Sequence, residues 1–128
     1  MPSLDHGGLD LPGPVAAFIG AVNAGDLSAI LATFTAGALV NDELQEHWGR
    51  EAIAHWAARA VLAQRLSLAA ARVVLNDNHA VVTAAASGTF DKRGLPDPLL
   101  LTFYFSIHDG KLDQLLILRN EPALTSAP

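Results

Sequence analysis

From Pro14 onward the apolar residues fall at Val15, Phe18, Ile19 and Val22, the alternating three-and-four spacing of one helical face. Pro14 suits a first helical turn, where its missing N–H is not needed, and Asn23-Ala24-Gly25 supplies the stop. Asp26 then caps a second, shorter helix whose apolar face is Leu27, Ile30, Leu31 and Phe34. After Gly37 the pattern changes to a brief strand, Ala38–Asp42, with residues 43–48 returning antiparallel as a small irregular hairpin. A third helix is expected from about Arg50 to Gln64, with Ile53, Trp56, Ala57, Ala60 and Val61 along its buried stripe.

The remainder reads as strand. Leu66–Leu75 ends at Asn76-Asp77-Asn78, residues that tolerate left-handed backbone. His79–Phe90 follows, then a loop over Asp91–Pro98 whose Gly94, Pro96 and Pro98 cannot continue a central strand. Leu99–Ile107 and Leu112–Asn120 flank Asp109-Gly110, a strong hairpin signal between apolar runs. Helices first and an antiparallel sheet afterwards make an α+β domain. It is expected over residues 13–121, after a flexible arm over 1–12 and before a tail over 122–128.

Composition narrows the function classes. The chain has 128 residues, enough for one self-sufficient core, and 51% of them are hydrophobic against 16% charged, which excludes a disordered chain. A net charge of -5 without a Lys/Arg cluster argues against nucleic acid as a partner. Without cysteine there is no disulfide, thiolate nucleophile or Cys-based metal site. The first eight residues lack the basic and apolar segments of a signal peptide. No run reaches the ~18–20 apolar residues of a membrane span, so a cytoplasmic protein with no membrane partner is expected.

Asp42 is the leading candidate for chemistry. A short strand that ends in an acid and leads into a helix sets one carboxylate either at the mouth of a pocket or at a turn that it caps, or beside a nearby cation that it pairs with. His47, beside it in the small hairpin, reads as a proton shuttle or as a surface histidine. Glu51 and His55 have helical spacing but no third ligand nearby, so an ion pair is expected there and no metal site. No phosphate loop or nucleophile elbow is present.

Phe18 to Asp26, Phe34, Val40-Asn41-Asp42, Gly49-Arg50-Glu51-Ala52-Ile53 and the hairpin at Asp109-Gly110 together carry a family resemblance. The sequence resembles the nuclear transport factor 2-like superfamily, in particular its SnoaL-like and ketosteroid-isomerase-like members, over roughly residues 14–120. The resemblance implies a cystatin-like cone, an α+β roll in which three N-terminal helices pack in a strongly curved, mostly antiparallel sheet. It also implies an apolar pocket open at one end and a homodimer through the convex sheet face. In ketosteroid isomerases the strand ending in Val-x-Asp supplies the general base, which gives Asp42 that role. The tyrosine and protonated acid that stabilise the enolate there are matched here by Phe18 and Phe103, which donate no hydrogen bond.

Alternation along the fifth strand puts Leu99, Leu101, Phe103, Phe105 and Ile107 on one face, expected to look inward. On the preceding strand the family alignment points Val82, Ala84, Ala86 and Gly88 inward, small side chains that either leave room or let a helix pack closely. The resemblance adds Leu115 and Arg119 on the last strand. Phe18, Val22, Val40 and Trp56 complete the expected walls. Arg119 serves either as a cation for an acidic ligand or as an edge residue paired with Glu121 or solvent. Leu100, Thr102 and Tyr104, on the opposite face, are expected at the dimer interface.

The expected function is a pocket for a small, largely apolar molecule. One form is a cofactor-independent isomerase, cyclase or dehydratase that uses Asp42 with Arg119 or His47, and is not a true ketosteroid isomerase. The other is a non-catalytic binding or accessory protein on the same scaffold.

Overall fold

The structure is a computed structural model that describes residues 9–119. The expected tail over 122–128 lies outside the described residues, as does most of the expected arm over 1–12. Helix α1 spans Gly13–Ala24 and α2 spans Leu27–Ala32, and each boundary has a local cause. Gly25, at φ 64, takes the left-handed conformation that closes α1. The Gly25 N–H bonds Val22 O at 3.0 Å and the Asp26 N–H bonds Ala21 O at 3.1 Å. Asp26 then caps α2 by accepting the Ala29 N–H at 3.1 Å.

Strand β1 runs Phe34–Asp42, so Phe34 is its first residue and not the last of α2, and β1 starts before the expected Ala38. The chain is drawn into the sheet at this point: the Leu112 N–H bonds Thr33 O at 2.7 Å, and the Phe34 ring is fully buried edge-on to Phe18. A bulge between Phe34 and Leu39 absorbs the residues that read as a break. Strand β2, Gln45–Trp48, returns antiparallel through Glu43 and Leu44, both with positive φ (51° and 73°). Two left-handed residues make the tightest hairpin link. Helix α3, Gly49–Ala57, continues as a wider π turn over Ala58–Leu62.

Strands β3 (Ser67–Asn76), β4 (His79–Ser87), β5 (Leu99–His108) and β6 (Lys111–Arg119) complete a curved six-stranded sheet in the order β2-β1-β6-β5-β4-β3. All pairings are antiparallel except β1 with β6. β4 stops at Ser87, short of the expected Phe90, because the chain turns to meet the end of the third helical segment. There the Thr89 N–H bonds Gln64 O at 2.7 Å. Gly88 is required at this approach, since a Cβ would lie 2.6 Å from Gln64 O.

The three helices cover one face of the curved sheet, the cone that the family resemblance implies. At the end of the cone nearer the β5–β6 turn the space is full. Val15, Ile30, Phe34, Phe105, Leu112 and Leu115 are buried there to 1% exposure or less. Phe18 holds this packing from α1, edge-on to Phe34 at 5.8 Å and to Phe105 at 5.7 Å between ring centroids.

Candidate functional site

At the opposite end of the cone the side chains stop filling the space. A cavity of about 330 Å³ opens there, at the small end of the ~300–1,000 Å³ usual for ligand pockets. The strand alternation that buries Phe105 and Leu115 brings Phe103, Leu101, Ile117 and Arg119 to its wall. β4 contributes only Ala86. Ala60, Val61 and Gln64 close the helical side, carried on the π turn and the residue pair after it. A π turn inserts one residue into the helical repeat, and the Ala63 N–H to Ala58 O bond, 3.0 Å, marks it.

Leu66 and Leu68 form the wall at the start of β3. Asn23 fixes them: its Nδ2 donates to Leu68 O at 2.9 Å and its Oδ1 accepts the Leu68 N–H at 2.7 Å. One side chain therefore saturates both backbone groups of a wall residue and ties β3 to the end of α1. Sequence reasoning used Asn23 only as a stop signal.

Asp42 lies at the end of β1 where the strand reaches the cavity, and its Oδ2 accepts the indole N–H of Trp56 at 2.9 Å. Trp56 is 3% exposed, so its N–H needs a protein partner. That requirement was the available signal: a tryptophan on a buried helical stripe must find an acceptor, and Asp42 precedes the same helix. Glu43 also lines the cavity, because the left-handed turn bends the chain after Asp42 and interrupts the strand alternation.

Of the residues expected at the site, Asp42, Arg119, Phe18, Trp56, Ala86, Leu101 and Phe103 come together around the cavity. Val40, Val82, Ala84, Phe105 and Leu115 do not line it, and all are buried to 1% or less. Val40, Phe105 and Leu115 belong to the packed end, whereas Val82 and Ala84 pair with the wall residues Phe103 and Leu101 and are covered at the same level of the sheet. Val22 is likewise buried and faces a groove at the end of α1. His47 pairs with Val40 across the β1–β2 ladder and sits beside Trp56, ring centroids 6.3 Å apart, outside the cavity lining. Leu99, expected on the inward face of its strand, also lines it, and Phe90, Leu95 and Ile117 do so without having been singled out. Ile117 lies between Leu115 and Arg119 on the same strand face, so alternation alone pointed to it; the loop residues carried no periodic signal.

No group of three His, Asp or Glu residues stands together to hold a metal ion among the described residues. Nor is any described helix long and apolar enough to cross a membrane.

Comparison with known proteins adds a family and a set of structural relatives. The family model for the SnoaL-like domain matches residues 15–114. A candidate polyketide cyclase from Sinorhizobium meliloti is 33% identical, with a TM-score of 0.77 over 85% of this chain and 96% of that one. A protein from Catenulispora acidiphila with a ketosteroid isomerase-like fold, solved in complex with trimethylamine, is 19% identical. Its TM-score is 0.72, with 85% of this chain and 86% of that chain covered. SalBIII, an epoxide hydrolase/cyclase-like enzyme in pyran ring formation in the polyether salinomycin, is 21% identical. Its TM-score is 0.70, over 84% of this chain and 88% of that one. No curated protein matches the chain.

Proposed function

The chain belongs to the SnoaL-like family, and from that premise we propose that it is a cofactor-independent enzyme of the cyclase, isomerase or dehydratase kind. Its substrate is a small, largely apolar carbonyl compound, and Asp42 is the general acid/base. The observation that carries the reading is the Asp42 carboxylate at the wall of an apolar cavity with one oxygen held by Trp56. Oδ2 is occupied by the indole N–H, which fixes the plane of the carboxylate. Oδ1 is then the oxygen that takes a proton from carbon next to a carbonyl and returns it to the product. Arg119, on the same wall, supplies positive charge near the enolate that forms between these two steps. His47 has no part in this scheme, since it lies outside the lining.

Phe18 and Phe103 are also part of the wall, and they donate nothing to a developing oxyanion. That feature favours the alternative, a non-catalytic binder on the same cone. Asp42→Asn separates the two when enolisable ketones, lactones and phenols are screened. The enzyme reading expects the variant to lose about 10²–10⁴-fold in turnover, with ligand affinity kept within a few-fold. Trp56→Phe should lower kcat more than it changes KM, because the base survives but loses its support. A ligand that raises the melting temperature of wild type and Asp42→Asn alike, with no product from either, establishes the binder.

We further propose a homodimer through the outward sheet face. Val74, Val81, Tyr104 and Leu116 are in register across β3–β6 and form one apolar row, with Val74 49% and Tyr104 41% exposed. Sedimentation should give twice the chain mass at micromolar concentration, and Tyr104→Lys should give a monomer that keeps its fold. A wild-type monomer under those conditions removes the interface.

A further inference from the structure

Ala86, Phe90, Leu95 and Leu99 line the inner cavity and also a second hollow, an outer groove of about 410 Å³ edged by Ser87, Lys92 and Asp97. These four side chains are a partition between two spaces. Ala86 and Leu99 face each other in the β4–β5 ladder, so that part of the partition is fixed by paired backbone. Phe90 and Leu95 hang from the loop over residues 88–98, so that part is made of side chains on a connection.

Phe90 is built into its place. A Cβ on Gly88 would lie 3.0 and 3.1 Å from two carbons of the Phe90 ring, so the ring rests on bare glycine backbone. The Lys92 ammonium lies 5.7 Å from the ring centroid. The loop itself is tied down just before Phe90, where Thr89 donates to Gln64 O through both its N–H and its hydroxyl. Proton transfer at Asp42 makes no use of an aromatic ring here. A half-buried phenyl with a glycine seat, standing between two hollows, limits length.

We infer that Phe90 is the specificity-determining residue of the site: its ring divides one channel into inner cavity and outer groove, and so sets how long a substituent the ligand can carry. The ligand class that fits is an aromatic or enolic head in the inner cavity with a linear apolar chain directed at the partition. The inference rests on the reading of the inner cavity as the ligand site. Removing the ring joins the two spaces and lets the chain run on past Ala86 and Leu99 toward Lys92.

The test is a series of 4-n-alkylphenols, from 4-methylphenol to 4-nonylphenol, titrated against the full chain carrying Trp48→Phe. Trp48 is 62% exposed and outside the cavity lining, so this substitution leaves Trp56 as the fluorescent reporter of the inner cavity. In that background affinity should rise with chain length, reach a cut-off, and fall. Each methylene newly accommodated is worth about fourfold in affinity, so Phe90→Ala should tighten members two carbons beyond the cut-off by about tenfold or more. 4-Methylphenol should change by less than about threefold, since it fits within the inner cavity alone. Phe90→Trp should move the cut-off to shorter chains, and it carries the test if circular dichroism shows that Phe90→Ala is unfolded. Binding with the same cut-off in all three proteins overturns the role of Phe90 and leaves the cavity as a ligand site. Saturable binding of no member by any of them overturns both.

Discussion

Strands β5 and β6 each run from a packed end of the cone to a hollow one. At Phe105 and Leu115 they meet Val15, Phe18 and Phe34, and nothing is left open. Two and four residues along the same strand faces, Phe103, Leu101, Ile117 and Arg119 meet Ala60 and Gln64 across about 330 Å³ of space. The strand residues are as bulky at one end as at the other. The difference lies in what stands opposite: two phenyl rings at the packed end, and an alanine on a π turn at the hollow end. A cavity in this fold arises where two facing elements both withhold bulk, and β4, with Ala80, Ala84 and Ala86 around a single Val82 on its inward face, supplies little along its length.

The largest consequence concerns stability. Phe105→Ala removes a ring from a site with no slack, and the loss should be about 3–5 kcal/mol because the hole cannot collapse. Leu101→Ala borders space that already exists, so it forfeits only part of a leucine's transfer free energy, about 1–2 kcal/mol. Urea unfolding of the two variants reads the difference directly. Losses within about 1 kcal/mol of each other would mean that the two ends are equally packed in solution, and the comparison would fail.

The packed end was also the more legible one in the sequence. Val15, Phe18, Ile19 and Val22 announced α1 through helical spacing, and strand alternation put Phe103 and Phe105 on the inner face, because burial on one side of a regular element leaves a periodic mark. The depth at which packing gives way to cavity left no such mark. Val40, Phe105 and Leu115 share a face with true wall residues and differ only in position along the strand, which periodicity does not encode. Val82 and Ala84 are level with the wall residues Phe103 and Leu101, and what covers them is equally absent from the pattern of β4. Phe34 was misplaced for a related reason: its spacing fits the α2 stripe, and only the bond from Leu112 to Thr33 shows that the strand has begun. The Asp42–Trp56 hydrogen bond and the Phe90 partition depend on contacts between segments far apart in pattern, one across a hairpin and one from a loop. Asp42 itself was legible because an acid closing an apolar strand is out of place by composition.

The smallest effect belongs to the surface of the loop that carries Phe90. Arg93 donates to both oxygens of Asp91, at 2.9 Å in the shortest contact, while the Arg93 backbone N–H bonds the same carboxylate. The Arg93 side-chain hydrogen bonds hold the Asp91 carboxyl below its ordinary range, with the backbone bond a smaller cause, and the pairing raises Arg93 in turn. A depressed carboxyl contributes stability above its unfolded pKa and loses it as pH falls through the folded value, so any contribution here disappears only in the acid range. Both side chains are largely exposed, and solvent screens the pair. Arg93→Ala should therefore move the Asp91 titration, followed by NMR, up toward the ordinary carboxylate value while the melting temperature at neutral pH stays unchanged. The alkylphenol cut-off should stay where it is as well, because the ring of Phe90 is seated by Gly88 and not by the ion pair. A cut-off that moved with Arg93→Ala would show that loop charge, more than the glycine seat, holds the partition at the hollow end.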